Sequence, residues 1–103
     1  MQIGMIGLGR MGAFMAQRLL RGGHDCVVHD HDPAAVDRLA LLGASGAASL
    51  REMVAALARP RAIWLMLPAA IVDQVLAALT PLLDKGDIVI DGGNSHYHDD
   101  LRR

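Results

Sequence analysis

What this chain has little of narrows its function first. It holds one cysteine, Cys26, so no disulfide can form within it. That residue sits in the run Cys-Val-Val and reads as a buried thiol in a reducing compartment. Charge of one sign is also missing. The 10 basic and 11 acidic side chains are interspersed, for a formal net charge of -1, which argues against nucleic acid or a membrane surface as partner. No apolar run approaches the ~20 residues that span a bilayer, and no basic region opens the N-terminus. A soluble, cytoplasmic protein is expected. Aromatic residues make up 3% of the chain against 52% hydrophobic overall. Ala, Val, Leu and Gly supply the core instead, as in parallel strands covered on both faces by helices. Lysine occurs once, as Lys85 in the turn-like Lys85-Gly86-Asp87, and no catalytic role is assigned to it.

What is present is organised around Gly7-Leu8-Gly9-Arg10-Met11-Gly12, which follows the apolar run Ile3 to Ile6 and opens a segment of helical spacing. A G-x-G-x-x-G between strand and helix is a dinucleotide-binding fingerprint. Gly7 allows a sharp turn, Gly9 leaves room for a pyrophosphate, and Gly12 lets helix and strand pack closely. The free N–H groups of the first helical turn then face the phosphates.

Strand and helix alternate along the chain. Strands are expected at Gln2 to Ile6, Cys26 to Asp30, Ala62 to Leu67 and Asp87 to Asp91, with a short extended piece at Ala44 to Ala47. The first helix, Arg10 to Arg21, places Met11, Met15 and Leu19 on one face as core filling, and Gly22-Gly23 ends it. Asp32-Pro33 reads as an N-cap with proline at the first helical position. That second helix runs to about Leu42, with Val36 and Leu39 inward. Ser49 and Glu52 have capping-box spacing and start a third helix that ends before Pro60. A fourth covers Ala70 to Leu79, and Thr80-Pro81 bends it. Ser95 is placed to cap a further helix beginning at His96. This pattern implies an α/β fold, a doubly wound parallel sheet in one domain, with strand order 3-2-1-4-5 by analogy with dinucleotide-binding folds. The ligand crevice then lies where the loops Gly7 to Gly12, Leu67-Pro68-Ala69 and Gly92 to Ser95 converge.

Asp30 is the second part of the expected site. It ends the second strand, eighteen positions after Gly12, where an acid accepts hydrogen bonds from the adenosine ribose. Two unit charges ~4 Å apart at an effective dielectric near 20 repel by about 4 kcal/mol. The carboxylate therefore disfavours a 2′-phosphate, and the expected cofactor is NAD rather than NADP. The clusters His29 to Asp32 and His96 to Asp100 lack metal-ligand spacing, so no metal is expected.

Together with Met66-Leu67-Pro68-Ala69 and Ile90-Asp91-Gly92-Gly93-Asn94-Ser95, the glycine loop resembles the N-terminus of the 6-phosphogluconate dehydrogenases, across essentially the whole chain. Within that family it is most similar to the shorter, NAD-preferring decarboxylating branch. The resemblance implies that Asn94 lies where nicotinamide meets substrate, beside Ser95 and the Gly92-Gly93 backbone. It sets Asp30-His31-Asp32 where NADP-using members carry Asn-Arg-Thr, so Asp30 and His31 join the coenzyme site. Phe14 departs from the Asn that relatives often place after the loop. The resemblance also implies that a Ser-Gly-Gly substrate loop, the catalytic lysine and acid, and a helical pairing domain lie beyond Arg103. Residues 1–103 would then be a coenzyme domain with no catalytic residue of its own. The implied parent reaction takes 6-phosphogluconate to ribulose 5-phosphate and carbon dioxide. Two other readings stand beside it: a 3-hydroxyisobutyrate-type hydroxyacid dehydrogenase, against which Asn94 speaks, and a non-catalytic nucleotide-binding or sensing module. The last strand would be an exposed edge, through which a homo-dimer is expected.

Overall fold

The computed structural model describes residues 2–92. Asn94, Ser95, the cluster from His96 and the helix expected there lie outside the described residues. Five strands, β1 (Gln2–Ile6), β2 (Asp25–His29), β3 (Ser45–Gly46), β4 (Ala62–Leu65) and β5 (Ile88–Asp91), form one sheet of order β3-β2-β1-β4-β5. Every pairing is parallel. Between them run α1 (Arg10–Arg21), α2 (Pro33–Leu41), α3 (Leu50–Ala56) and α4 (Ala69–Leu79), the last followed by a 3₁₀ turn at Thr80–Leu82.

Alternation along each strand feeds two cores, one per face of the sheet. Met5, Cys26 and Val28 pack with Ala16 of α1 and Ala35, Val36 and Leu39 of α2. Their neighbours Ile6, Val27, Ile63 and Leu65 pack on the other face with Met53 and Val54 of α3 and Val72 and Leu79 of α4. Removing each of the larger side chains from water contributes about 1.5–3 kcal/mol. Aliphatic residues suffice because short strands bury both faces. The Cys26 thiol is among them, and burial pushes its pKa up to about 11, so it stays protonated.

The helices start and stop where local chemistry directs. The Asp32 side chain accepts the Ala34 N–H at 3.0 Å ahead of Pro33. Ser49 Oγ accepts the Glu52 N–H at 3.1 Å, while Glu52 Oε1 accepts the Ala48 N–H at 3.2 Å. Gly23 takes a φ of 86° just past α1, which a side chain would resist.

Three expectations are corrected. Met11 is 64% exposed rather than core, while Met15 and Leu19 do pack against the inner cluster. The face of α1 toward the sheet is instead centred on Gly12 and Ala16. β4 ends at Leu65, two residues early: the Met66 N–H still reaches the Ile6 carbonyl at 2.8 Å, but Pro68 then caps α4. Asp87 precedes β5 rather than opening it, and is 5% exposed. It accepts the N–H groups of Arg61 and Asp84 at 2.7 and 2.8 Å and pairs with the Arg61 guanidinium at 2.9 Å. This ion pair sits before β4 and β5, at the end of the sheet away from the expected crevice.

Candidate functional site

At the carboxyl end of β1 the three glycines have separable physical roles. Gly7 adopts a φ of 97°, and a Cβ there would run into the Met66 carbonyl. A Cβ on Gly12 would overlap the Gly7 carbonyl oxygen, so α1 can lie against the end of β1 only without a side chain. Gly9 differs. Its φ of -66° suits any residue, and a Cβ there would meet nothing within 4 Å. The fold demands glycine at 7 and 12, but at 9 the missing side chain leaves only open space. That space faces the start of α1, whose first N–H groups have no partner within the helix.

Asp30 follows β2 directly and braces the loop. Its Oδ2 accepts the Leu8 N–H at 2.6 Å, and its Oδ1 accepts the Asp32 N–H at 2.9 Å and lies 3.2 Å from His31 Nδ1. The Asp30 side chain is 10% exposed and that of His31 95%. An ionised carboxylate offers about four lone-pair positions, so Asp30 can still accept a ligand hydroxyl. His29 Nδ1 is within 2.9 Å of the Ala47 carbonyl. Among the described residues no group of three or more His, Cys, Asp or Glu is placed to hold a metal ion.

These parts open onto a cleft of about 720 Å³ beyond the ends of β1 and β4. Of the expected residues Gly7, Leu8, Gly9, Asp30, His31, Leu67 and Pro68 line it. Arg10, Met11, Gly12 and Ala69 do not, since Gly12 backs onto Gly7 and the others begin their helices. Asn94 is outside the described residues. Gly92 runs against the Trp64 indole, whose Nε1 leaves no room for a Cβ, so packing alone accounts for the first glycine of that motif.

Sequence reading missed one wall. Ala35 and Arg38 of α2 line the cleft together with Ile71, Gln74, Val75 and Ala78 of α4. Spacings of three, four and seven mark a single helical face, so the signal was present in α4. The sheet-facing residues of α4 include Val72 and Leu79, both buried, whereas Ile71 on the cleft side is 38% exposed.

The known-protein comparisons agree with this geometry. The family described as the NAD binding domain of 6-phosphogluconate dehydrogenase matches residues 2–103. The chain is 46% identical to the NAD(+)-dependent, decarboxylating 6-phosphogluconate dehydrogenase of Haloferax volcanii, covering 100% of this chain and 35% of that one. It is also 46% identical to the decarboxylating 6-phosphogluconate dehydrogenase of Treponema pallidum, over 98% of this chain and 22% of the relative. The chain thus spans 35% and 22% of the length of these two relatives. Among solved structures, Mycobacterium tuberculosis 3-hydroxyisobutyrate dehydrogenase superposes with a TM-score of 0.80 at 29% identity, over 89% of this chain and 31% of the other. A glycine loop braced by an acid at the end of β2, and a family match along the described sheet and beyond, lead to one assignment: this chain belongs to the family of NAD-binding domains of 6-phosphogluconate dehydrogenase.

Proposed function

We propose that the 720 Å³ cleft holds NAD extended across the ends of β1 and β4. The pyrophosphate lies in the space over Gly9, against the N–H groups of Gly9, Arg10, Met11 and Gly12, while the Leu8 N–H stays on Asp30. Arg10, Met11 and Gly12 need not line the cleft with side chains to contribute there. Asp30, with His31 beside it, receives the ribose hydroxyls. The base lies against the part of the cleft lined by Arg38 and Gln74, and the nicotinamide points toward Leu67, Pro68, Ala69 and Asn94. NAD supplies a hydride acceptor. The open space at Gly9, which the fold does not require, is the observation that carries this reading.

In the whole protein the substrate is 6-phosphogluconate, a small molecule. Oxidation of its 3-hydroxyl gives a β-keto acid that loses carbon dioxide, leaving ribulose 5-phosphate. Asn94 positions the reacting carbon beside the nicotinamide. The base and acid come from elsewhere, because Lys85 sits in the turn before β5 and does not line the cleft. A cytoplasmic location fits this metabolic role. Self-association through β5 fits as well: among the described residues β5 pairs only with β4, and Ile88 is 49% exposed.

Fluorescence titration tests the coenzyme assignment. NADH should saturate this chain, and 6-phosphogluconate with NAD should yield no NADH from it. Absence of NADH binding would refute the site, and turnover by these 103 residues would refute the assignment of chemistry elsewhere.

A further inference from the structure

Asp30 is a partition between two cavities. With His29 and His31 it lines the large cleft on one side and a second groove of about 450 Å³ on the other. No residue of the glycine loop or of Leu67 to Ala69 lines this groove, so it lies beyond Asp30 from the expected pyrophosphate. Its walls come from Pro33, Val36 and Asp37 of α2, the Gly46 to Ala48 stretch, and Glu52 of α3. Three carboxylates, Asp30, Asp37 and Glu52, line it with the two histidines, and neither lysine nor arginine is among the lining residues. Arg38, the next residue after Asp37, faces the other cavity.

Glu52 is held where it stands. The capping box that starts α3 fixes its carboxylate through the Ala48 N–H at 3.2 Å and its backbone through Ser49 Oγ at 3.1 Å. A capping residue needs a side-chain oxygen there but not a charge, since Gln serves as well. The charge is therefore available for a second purpose.

Building on the coenzyme reading, we propose that Glu52, with Asp37, makes the chain reject a ribose that carries a 2′-phosphate. A ribose on Asp30 cannot place a phosphate in the space of that carboxylate, so the group passes beyond it into the groove. A phosphate monoester brings about -1.5 to -2 charges, and the groove meets it with three carboxylates, of which Asp30 and Glu52 are held by hydrogen bonds, and with no guanidinium among its lining residues. Selectivity then rests on a repulsive element aimed at the wrong ligand as well as on the ribose contact with Asp30. A residue of α3, in a capping position, becomes a specificity determinant for a coenzyme bound at β1 and β2.

The test is a titration of the whole chain with NADH and with NADPH, as wild type, Glu52→Gln and Asp37→Asn. Glu52→Gln keeps the capping oxygen, and circular dichroism confirms that the fold is retained. Each variant should bind NADPH about fivefold more tightly, the size of a surface charge interaction, while NADH affinity stays within about twofold. The gain should vanish near 1 M salt, where the screening length falls to about 3 Å; a purely structural effect would survive. An unchanged NADPH-to-NADH ratio in both variants, with NADH still binding, overturns the proposal and leaves the coenzyme site standing. Failure of NADH to bind the wild type overturns both.

Discussion

Replacing Gly9 and Gly12 by alanine, one at a time, separates what the glycine loop does for the fold from what it does for a ligand. At Gly9 the backbone already suits alanine and the new methyl meets nothing within 4 Å. The remaining cost is that of alanine at a helix N-cap, about 1 kcal/mol or less. For a domain of this size that lowers the melting temperature by about 4–8 °C at most. The same methyl stands where a pyrophosphate oxygen would approach. Losing one charged hydrogen bond costs about 1.5–3 kcal/mol, so NADH affinity should fall by roughly ten- to a hundredfold. At Gly12 the order reverses. The methyl overlaps the Gly7 carbonyl oxygen, a backbone atom that cannot move unless α1 leaves β1. Overpacking of this kind costs about 1–3 kcal/mol, and the upper end applies here because no side chain can yield. Thermal melts followed by circular dichroism, paired with fluorescence titration of the folded protein, read both quantities. A Gly9→Ala chain that binds NADH as tightly as wild type would refute the placement of phosphate over Gly9. A Gly12→Ala chain that melts with wild type would refute the packing argument.

Three further outcomes are expected. Arg61→Met leaves the Asp87 carboxylate buried with only its two backbone donors, which should cost about 3 kcal/mol, the low end for a broken buried pair; urea denaturation measures it, and a loss under about 1 kcal/mol would refute the pairing. Burial alone would raise the Asp87 pKa, but the N–H groups of Asp84 and Arg61 and then the guanidinium hold it below its ordinary 3.8. A depressed carboxylate stabilises the fold above its unfolded pKa and loses that contribution as pH falls through the folded value. Wild type should therefore be insensitive at this site above about pH 4 and weaken below it, and Asp87→Asn should flatten that limb of the pH profile. Sedimentation over a wide concentration range should show a dimer at high concentration that Ile88→Lys abolishes; a monomer throughout would remove β5 as a self-association edge.

The sequence alone determined most of the fold, because its signals are local. The capping chemistry of Asp32 and Ser49, the positive-φ glycine after α1 and the alternation of short aliphatic strands with helical segments all act over a few residues. Strand order came by analogy with the fold that the glycine loop announces. The ribose acid was legible too, since its distance from the loop is set by one helix and one strand. Tertiary structure decided the rest. Met11 has the spacing of a core residue, yet the close approach at Gly12 turns α1 so that Met11 faces solvent. Asp87 looks like a turn residue until Arg61, twenty-six positions earlier, is brought against it. Asp30 reads as a ligand acceptor, but its hydrogen bond to Leu8 shows that it also binds the loop to β2. The wall formed by Arg38 and Gln74, and the carboxylates that Glu52 and Asp37 turn toward the far side of Asp30, exist only once α2, α3 and α4 are docked on the sheet. Local rules place a residue on an element, whereas a cavity needs walls from several, and those distances are fixed by packing.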